Sequence, residues 1–133
     1  MNQKEIRWRQ RFENFEKSFL LLEQSLGIEK PSVIERAGII QFFEITFELS
    51  WKLLKDYLES QDVNPQFPRD VIKEAFHYEI IANGDTWMTM LGDRNLTVHT
   101  YNETKAAEIE AKIRNVFFPA IKQLYRSMKE KAA

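Results

Sequence analysis

Large apolar residues recur every three to four positions over long stretches of the chain, and Gly, Pro, Asn and Asp separate those stretches. Ile6, Trp8, Phe12, Phe15, Phe19, Leu22 and Leu26 predict a first helix over residues 4–26, ended by Gly27. Ser32 followed by Glu35, just after Pro31, is a capping box, and it predicts a second helix reaching about residue 61. On that helix Gln41, Glu44, Glu48, Lys52, Lys55, Asp56 and Glu59 share one polar stripe, while apolar side chains from Ile40, Phe42 and Phe43 to Tyr57 and Leu58 fill the rest. The apolar arc is on the order of 240°, wider than a helix burying one face requires. The second helix is therefore central, or shared with a partner. Thr46 and Ser50 fall inside the arc, and their hydroxyls are expected to bond back to carbonyls of the preceding turn.

Pro68 opens a third helix expected through residue 81. Asn83, Gly84 and Asp85 form a turn, with Asp85 as cap of a short fourth helix containing Trp87, Met88, Met90 and Leu91. Thr100 and Glu103 make a second capping-box pattern, so the last helix is expected from about residue 100 to 129. Pro119 should kink it, because proline cannot donate to the Asn115 carbonyl. The fold class read from this pattern is all-α: one domain over residues 1–133, an antiparallel up-and-down bundle of four to five helices with short connections.

Composition narrows the function. With 19 basic and 20 acidic residues the net charge is -1, so the counterion release that drives binding to a nucleic-acid backbone is not built into the whole. DNA is not an expected partner, although a local basic patch for RNA stays possible in principle. There is no cysteine, which removes disulfides, thiolate metal sites and cysteine nucleophiles together. The first residues are polar, with no signal peptide and no membrane-spanning run behind them, and a cytoplasmic protein without membrane contact is expected.

Much chemistry is absent. The two histidines, His77 and His99, stand outside any metal-ligand spacing, and no metal site is expected. His77 reads as a surface or core-edge residue. No glycine is followed by serine, and no two aspartates lie two positions apart, so the chain carries neither a glycine-rich phosphate loop nor a paired-carboxylate metal site.

One dense polar cluster stands out: Asp93, Arg94, Asn95, Leu96, Thr97, Val98, His99, Thr100 and Tyr101 place an acid, a guanidinium, an amide, an imidazole and a phenol close together. On an unbroken helix Arg94 and His99 would lie about 140° apart. A helix break before Thr100 would let His99 turn back toward Arg94. An Arg fork suits a phosphate, and His changes charge near neutral pH. The plainer reading is that Asp93 and Arg94 cap helix ends while His99 and Tyr101 pack at a turn. Glu48 and Lys52, an i to i+4 pair, are open to the same two readings, a solvated salt bridge or a binding pair.

Residues 43–59, Phe-Glu-Ile-Thr-Phe-Glu-Leu-Ser-Trp-Lys-Leu-Leu-Lys-Asp-Tyr-Leu-Glu, and the cluster from Asp93 to Tyr101 resemble the nucleotidyltransferase substrate-binding protein family, within the wider HEPN superfamily. Pro68 to Phe76 and Trp87 to Leu91 also fit, so the resemblance covers most of the chain. It implies a bundle similar to the helical substrate-binding domain of aminoglycoside nucleotidyltransferases. It further implies a separate minimal nucleotidyltransferase subunit that carries the Gly-Ser and paired-Asp motif, with ATP and Mg entering through that partner and no cofactor held by this chain. Asp93, Asn95, Glu48 and Lys52 are then candidate substrate- or partner-binding residues, and a homodimer is expected.

The superfamily's Arg, four residues, His pattern, followed two positions later by Tyr, is matched by Arg94, His99 and Tyr101. In its toxin-antitoxin branch, the resemblance implies a metal-independent RNase with Arg94 and His99 as catalytic residues. His99 would act as general acid or base and Arg94 would stabilise the phosphorane. Tyr101 would be the acceptor of an adenylyl group from the partner, or simply a ring packed at the helix junction.

Overall fold

The computed structural model describes residues 1–95 and 102–133, and the expected all-α architecture is what it shows. α1 covers Gln3–Leu26 and starts on Asn2, whose side chain accepts from the Glu5 N–H at 2.9 Å. Trp8, Phe12, Phe15, Phe19 and Leu22 repeat at the helical interval and are buried together. α2 covers Val33–Ser60, and the Ser32 capping box forms in both directions: Glu35 N–H donates to Ser32 Oγ, and Ser32 N–H donates to Glu35 Oε1.

Cross-helix pairs set the topology. Arg7 meets Glu59, Arg11 meets Asp56 and Ser18 meets Thr46, so α1 and α2 run antiparallel. Arg36 meets Glu110, Phe43 stacks on Phe117 at 5.2 Å, and Lys131 lies over Tyr57. These three pairs share one offset of 74 residues, so the last leg runs parallel to α2. Between them the chain returns through two short helices, α3 (Pro68–His77) and α4 (Gly84–Gly92), with Trp87 6.1 Å from Phe47. The result is an up-and-down bundle whose third leg is broken in two.

The last leg is α5 (Glu103–Lys112), a π-helical turn (Ile113–Phe117) and α6 (Phe118–Ala132) in one continuous run. Just before Pro119, where the sequence reading placed a kink, the chain has this π turn, in which the Phe118 N–H donates to the Ile113 carbonyl. Widening the helix by one residue just before the proline adjusts the ladder to its missing donor. Arg114 in that turn reaches back to the end of α1, donating to the carbonyls of Leu26 and Ile28 while pairing with Glu110. It thereby satisfies carbonyls that the helix terminus leaves without intrahelical donors.

Three boundaries differ from the sequence reading. α3 ends at His77, not at residue 81, because Glu79 takes a left-handed conformation (φ 60) and the Ile80 N–H closes on the Ala75 carbonyl. Ile80 and Ile81 are buried from a turn rather than from a helix. α4 is capped by Asn83, which accepts from Thr86 N–H, and Asp85 lies in its first turn. The expected Thr100–Glu103 cap is replaced by Asn102, which accepts from Lys105 N–H at 3.0 Å, and α5 begins at Glu103.

The broad apolar arc of α2 has its explanation in position. Ile39, Ile40, Phe43, Phe47, Leu53, Leu54 and Leu58 are buried between α1, α3 and the last leg. Ser50 bonds back to the Thr46 carbonyl as expected, whereas the Thr46 hydroxyl pairs with Ser18 across the α1–α2 seam. Asp56, read as part of the polar stripe, is buried and holds Arg11. Of the large apolar side chains on α2, Val33 and Ile34 at its start and Ile45 on its flank stay exposed. Among the described residues no helix is long and apolar enough to cross a membrane.

Candidate functional site

The polar cluster falls at the joint between the third and last legs. Asp93 closes α4, its N–H donating to the Met90 and Thr89 carbonyls, and its carboxylate takes Lys112 Nζ at 3.1 Å. This bridge ties the end of α4 to the end of α5. Arg94 and Asn95 follow in the turn, both exposed, and Arg94 makes no ion pair with another described residue. A guanidinium so placed keeps its planar donor fork available to an oxyanion.

His99, Thr100 and Tyr101 lie outside the described residues, so the convergence of His99 on Arg94 belongs to the expectations. The chain is described again from Asn102, the cap of α5. The stretch holding His99 and Tyr101 is thus bounded by the C-terminus of one helix and the N-terminus of the next. Among the described residues no group of three His, Cys, Asp or Glu gathers as a metal site would require.

Glu48 and Lys52 do not join the described part of this cluster, Asp93 to Asn95. The offset along α2 puts Lys112 level with residue 38, and Glu48 stands ten residues further, about 15 Å along the axis. Nor do the two meet each other as an ion pair. Glu48 accepts from Trp51 Nε1 at 2.9 Å, and Lys52 Nζ sits 6.0 Å from the centre of the Trp51 indole. They form a small polar frame around a half-buried tryptophan.

Around α4, the Phe76 ring lies across Gly84, where a Cβ would come within 3.2 Å of it, beside a groove of about 350 Å³ floored by Ile72 and Met88. A second cavity, bounded by Tyr57, Tyr78, Glu79 and Lys131, lies where three helices end. Sequence periodicity missed this one, because its walls combine the last turns of α2 and α6 with the turn residues that follow α2 and α3. The signal that could have found it is Tyr78-Glu79 directly after an amphipathic helix with no glycine to end it.

Comparison with known proteins follows the same lines. The family model described as "Nucleotidyltransferase substrate binding protein like" matches residues 10–130. A Haemophilus influenzae protein named probable ribonuclease HepT is 33% identical, with 63% of this chain and 63% of that protein aligned, so the match spans less than two-thirds of the relative. A crystal structure from Thermus thermophilus superposes with a TM-score of 0.73 at 33% identity, covering 89% of this chain and 98% of that one. A Haemophilus influenzae structure described as revealing the fold of a substrate binding domain of a nucleotidyltransferase gives a TM-score of 0.76 at 27% identity, with the same coverage. The bundle fold and the family match over residues 10–130 agree, and the chain belongs to the nucleotidyltransferase substrate-binding protein family.

Proposed function

We propose that this chain is a helical, non-catalytic subunit that associates with a separate small nucleotidyltransferase and helps form its substrate site. The observation that carries this reading is a complementarity: the bundle matches a nucleotidyltransferase substrate-binding domain over 98% of that domain, while these 133 residues hold no Gly-Ser and no spaced aspartate pair. ATP and Mg would be bound by the partner. Candidate contacts are Asp93, Arg94 and Asn95 at the α4–α5 joint, with Glu48 and Lys52 further along α2 as a second region. Exposed Val33, Ile34 and Ile45 give the apolar part of a contact surface. Co-expression with a small protein carrying Gly-Ser and paired Asp, followed by size exclusion, tests the assembly: co-elution is the expected result. Separate elution of two folded proteins would overturn it.

A second reading has its own support in the relative named a probable ribonuclease and in the exposed Arg94. Here a homodimer would bring two copies of His99 to one cleft, one acting as acid and the other as base on RNA, with Arg94 on the phosphorane. Transfer of an adenylyl group from ATP to the Tyr101 hydroxyl by the partner, with release of pyrophosphate, would set a phosphodiester beside Arg94 and close the site. RNA cleavage that resists EDTA and vanishes in both Arg94→Ala and His99→Ala is the expected result. Cleavage surviving His99→Ala would eliminate this chemistry, and an adenylyl mass equal on wild type and Tyr101→Phe would eliminate Tyr101 as acceptor.

A further inference from the structure

The C-terminal ends of α2, α3 and α6 meet around a cavity of about 350 Å³ lined by Tyr57, Gln61, Tyr78, Glu79, Ile80 and Lys131. Each helix end directs carbonyl oxygens without intrahelical donors toward its terminus, equivalent to roughly half a negative charge. The α6 end is already met by Arg9, whose Nη1 donates to the Ala132 carbonyl at 2.7 Å, so it is the ends of α2 and α3 that disfavour an anion and favour a cation here.

Two of these ends close in the same way. The Val63 N–H bonds to the Leu58 carbonyl and the Ile80 N–H to the Ala75 carbonyl, each at 2.9 Å, and the left-handed residues inside these closures are Asp62 (φ 62) and Glu79 (φ 60). Glycine is the usual residue there. This chain has carboxylates instead, and Glu79 lines the cavity. The basic side chains at the end of α2 are already engaged: Lys4 on Asp62 at 3.5 Å, and Lys55 and Arg7 on Glu59 at 2.7 and 3.4 Å.

Tyr57 supplies an aromatic face. Its ring is held edge-on against Trp8, with centroids 5.2 Å apart and planes at 84°. Lys131 Nζ stands 5.8 Å from the Tyr57 centroid, so the chain already seats an ammonium of its own on this ring. Lys131 is exposed and sits in the last turn of α6, where its flexible stem is free to leave. Tyr78, half exposed on the same wall, offers a second aromatic face.

We propose that this cavity binds a small organic cation bearing a primary ammonium group, which displaces the Lys131 ammonium from the Tyr57 face and pairs with the Glu79 carboxylate. The site is separate from the α4–α5 joint and stands whether or not a nucleotidyltransferase assembly forms. Isothermal titration of the isolated chain with 1,4-diaminobutane, at constant ionic strength, tests it. Lys131→Ala, which removes the competing ammonium, is expected to tighten binding about fivefold, and Glu79→Gln and Tyr78→Leu to weaken it by a similar factor. Lys122→Ala deletes the same charge nine residues back on α6 and is expected to leave affinity unchanged. Circular dichroism confirms that each exposed-site variant keeps its helices. No binding to the Lys131→Ala protein, equal tightening by Lys122→Ala, or wild-type affinity in Glu79→Gln would overturn the proposal.

Discussion

Arg11 Nε lies 2.9 Å from Asp56 Oδ2, and the carboxylate of this pair is buried while the guanidinium is a third exposed. The asymmetry sets the direction of two mutations. Removing Asp56 leaves an arginine that can swing its head into water, whereas removing Arg11 leaves a buried carboxylate without its cation. Arg11→Ala is expected to cost about 2–3 kcal/mol and Asp56→Ala about 1 kcal/mol less. Urea denaturation of the two variants checks the order, and a larger loss in Asp56→Ala would contradict it.

The hydroxyls of Ser18 and Thr46 pair at the α1–α2 seam, both in buried residues. Thr46→Val keeps the shape but leaves the Ser18 hydroxyl without this partner, and should cost about 1–2 kcal/mol. Combining it with Ser18→Ala removes both polar groups and should recover part of that loss. A double-mutant cycle reads the coupling directly, and strict additivity of the two single losses would show that the pair is not coupled.

These two pairs also mark how far sequence pattern reaches. The extent of α1, the Ser32 capping box and the all-α bundle follow from local periodicity and cap chemistry, and the central position of α2 is one of two readings its apolar arc leaves open. Asp56 is misplaced on a helical wheel because the wheel shows which residues share a face, not that α1 brings an arginine to that face. The end of α3 is misread because Ile80 and Ile81 continue the apolar pattern while the backbone leaves the helix at Glu79. Asn102 rather than Thr100 caps α5: asparagine is the stronger N-cap, while the capping-box spacing of Thr100 to Glu103 points to the other residue. At the candidate site, Asp93 as a helix cap is legible, but its bridge to Lys112 joins two legs of the bundle and cannot be read from spacing.

Tyr125 joins α6 to α1: its hydroxyl donates to Glu16 Oε2 at 2.7 Å and its ring stacks on Phe19 at 4.3 Å. Burial and then the Glu16 hydrogen bond push the phenol above its ordinary value. A folded-state pKa above the unfolded one means that the folded chain keeps the proton longer. The resulting stability is fully present below about pH 10 and is lost as pH rises through the folded pKa. Tyr57 shifts in the same direction, through burial and then Glu5. Thermal melts at increasing alkaline pH should show the melting temperature falling less steeply in Tyr125→Phe than in wild type. Parallel curves would remove Tyr125 from the alkaline transition.

Glu79 holds φ 60 at the closure of α3, a conformation in which a side chain meets the following carbonyl and glycine does not. Replacing it by glycine relieves that contact and keeps the Ile80 to Ala75 hydrogen bond that ends the helix. Glycine also gains backbone freedom in the unfolded chain, which offsets part of the relief. The relief is the larger effect at a left-handed position, so Glu79→Gly should stabilise the fold by about 0.5–1 kcal/mol, read as a higher urea midpoint with an unchanged slope. Glu79→Gln keeps the side-chain bulk and the strained backbone and should leave the midpoint close to wild type. If Glu79→Gly is instead destabilising while Glu79→Gln is neutral, then packing of the Glu79 side-chain stem, rather than backbone strain, governs this turn.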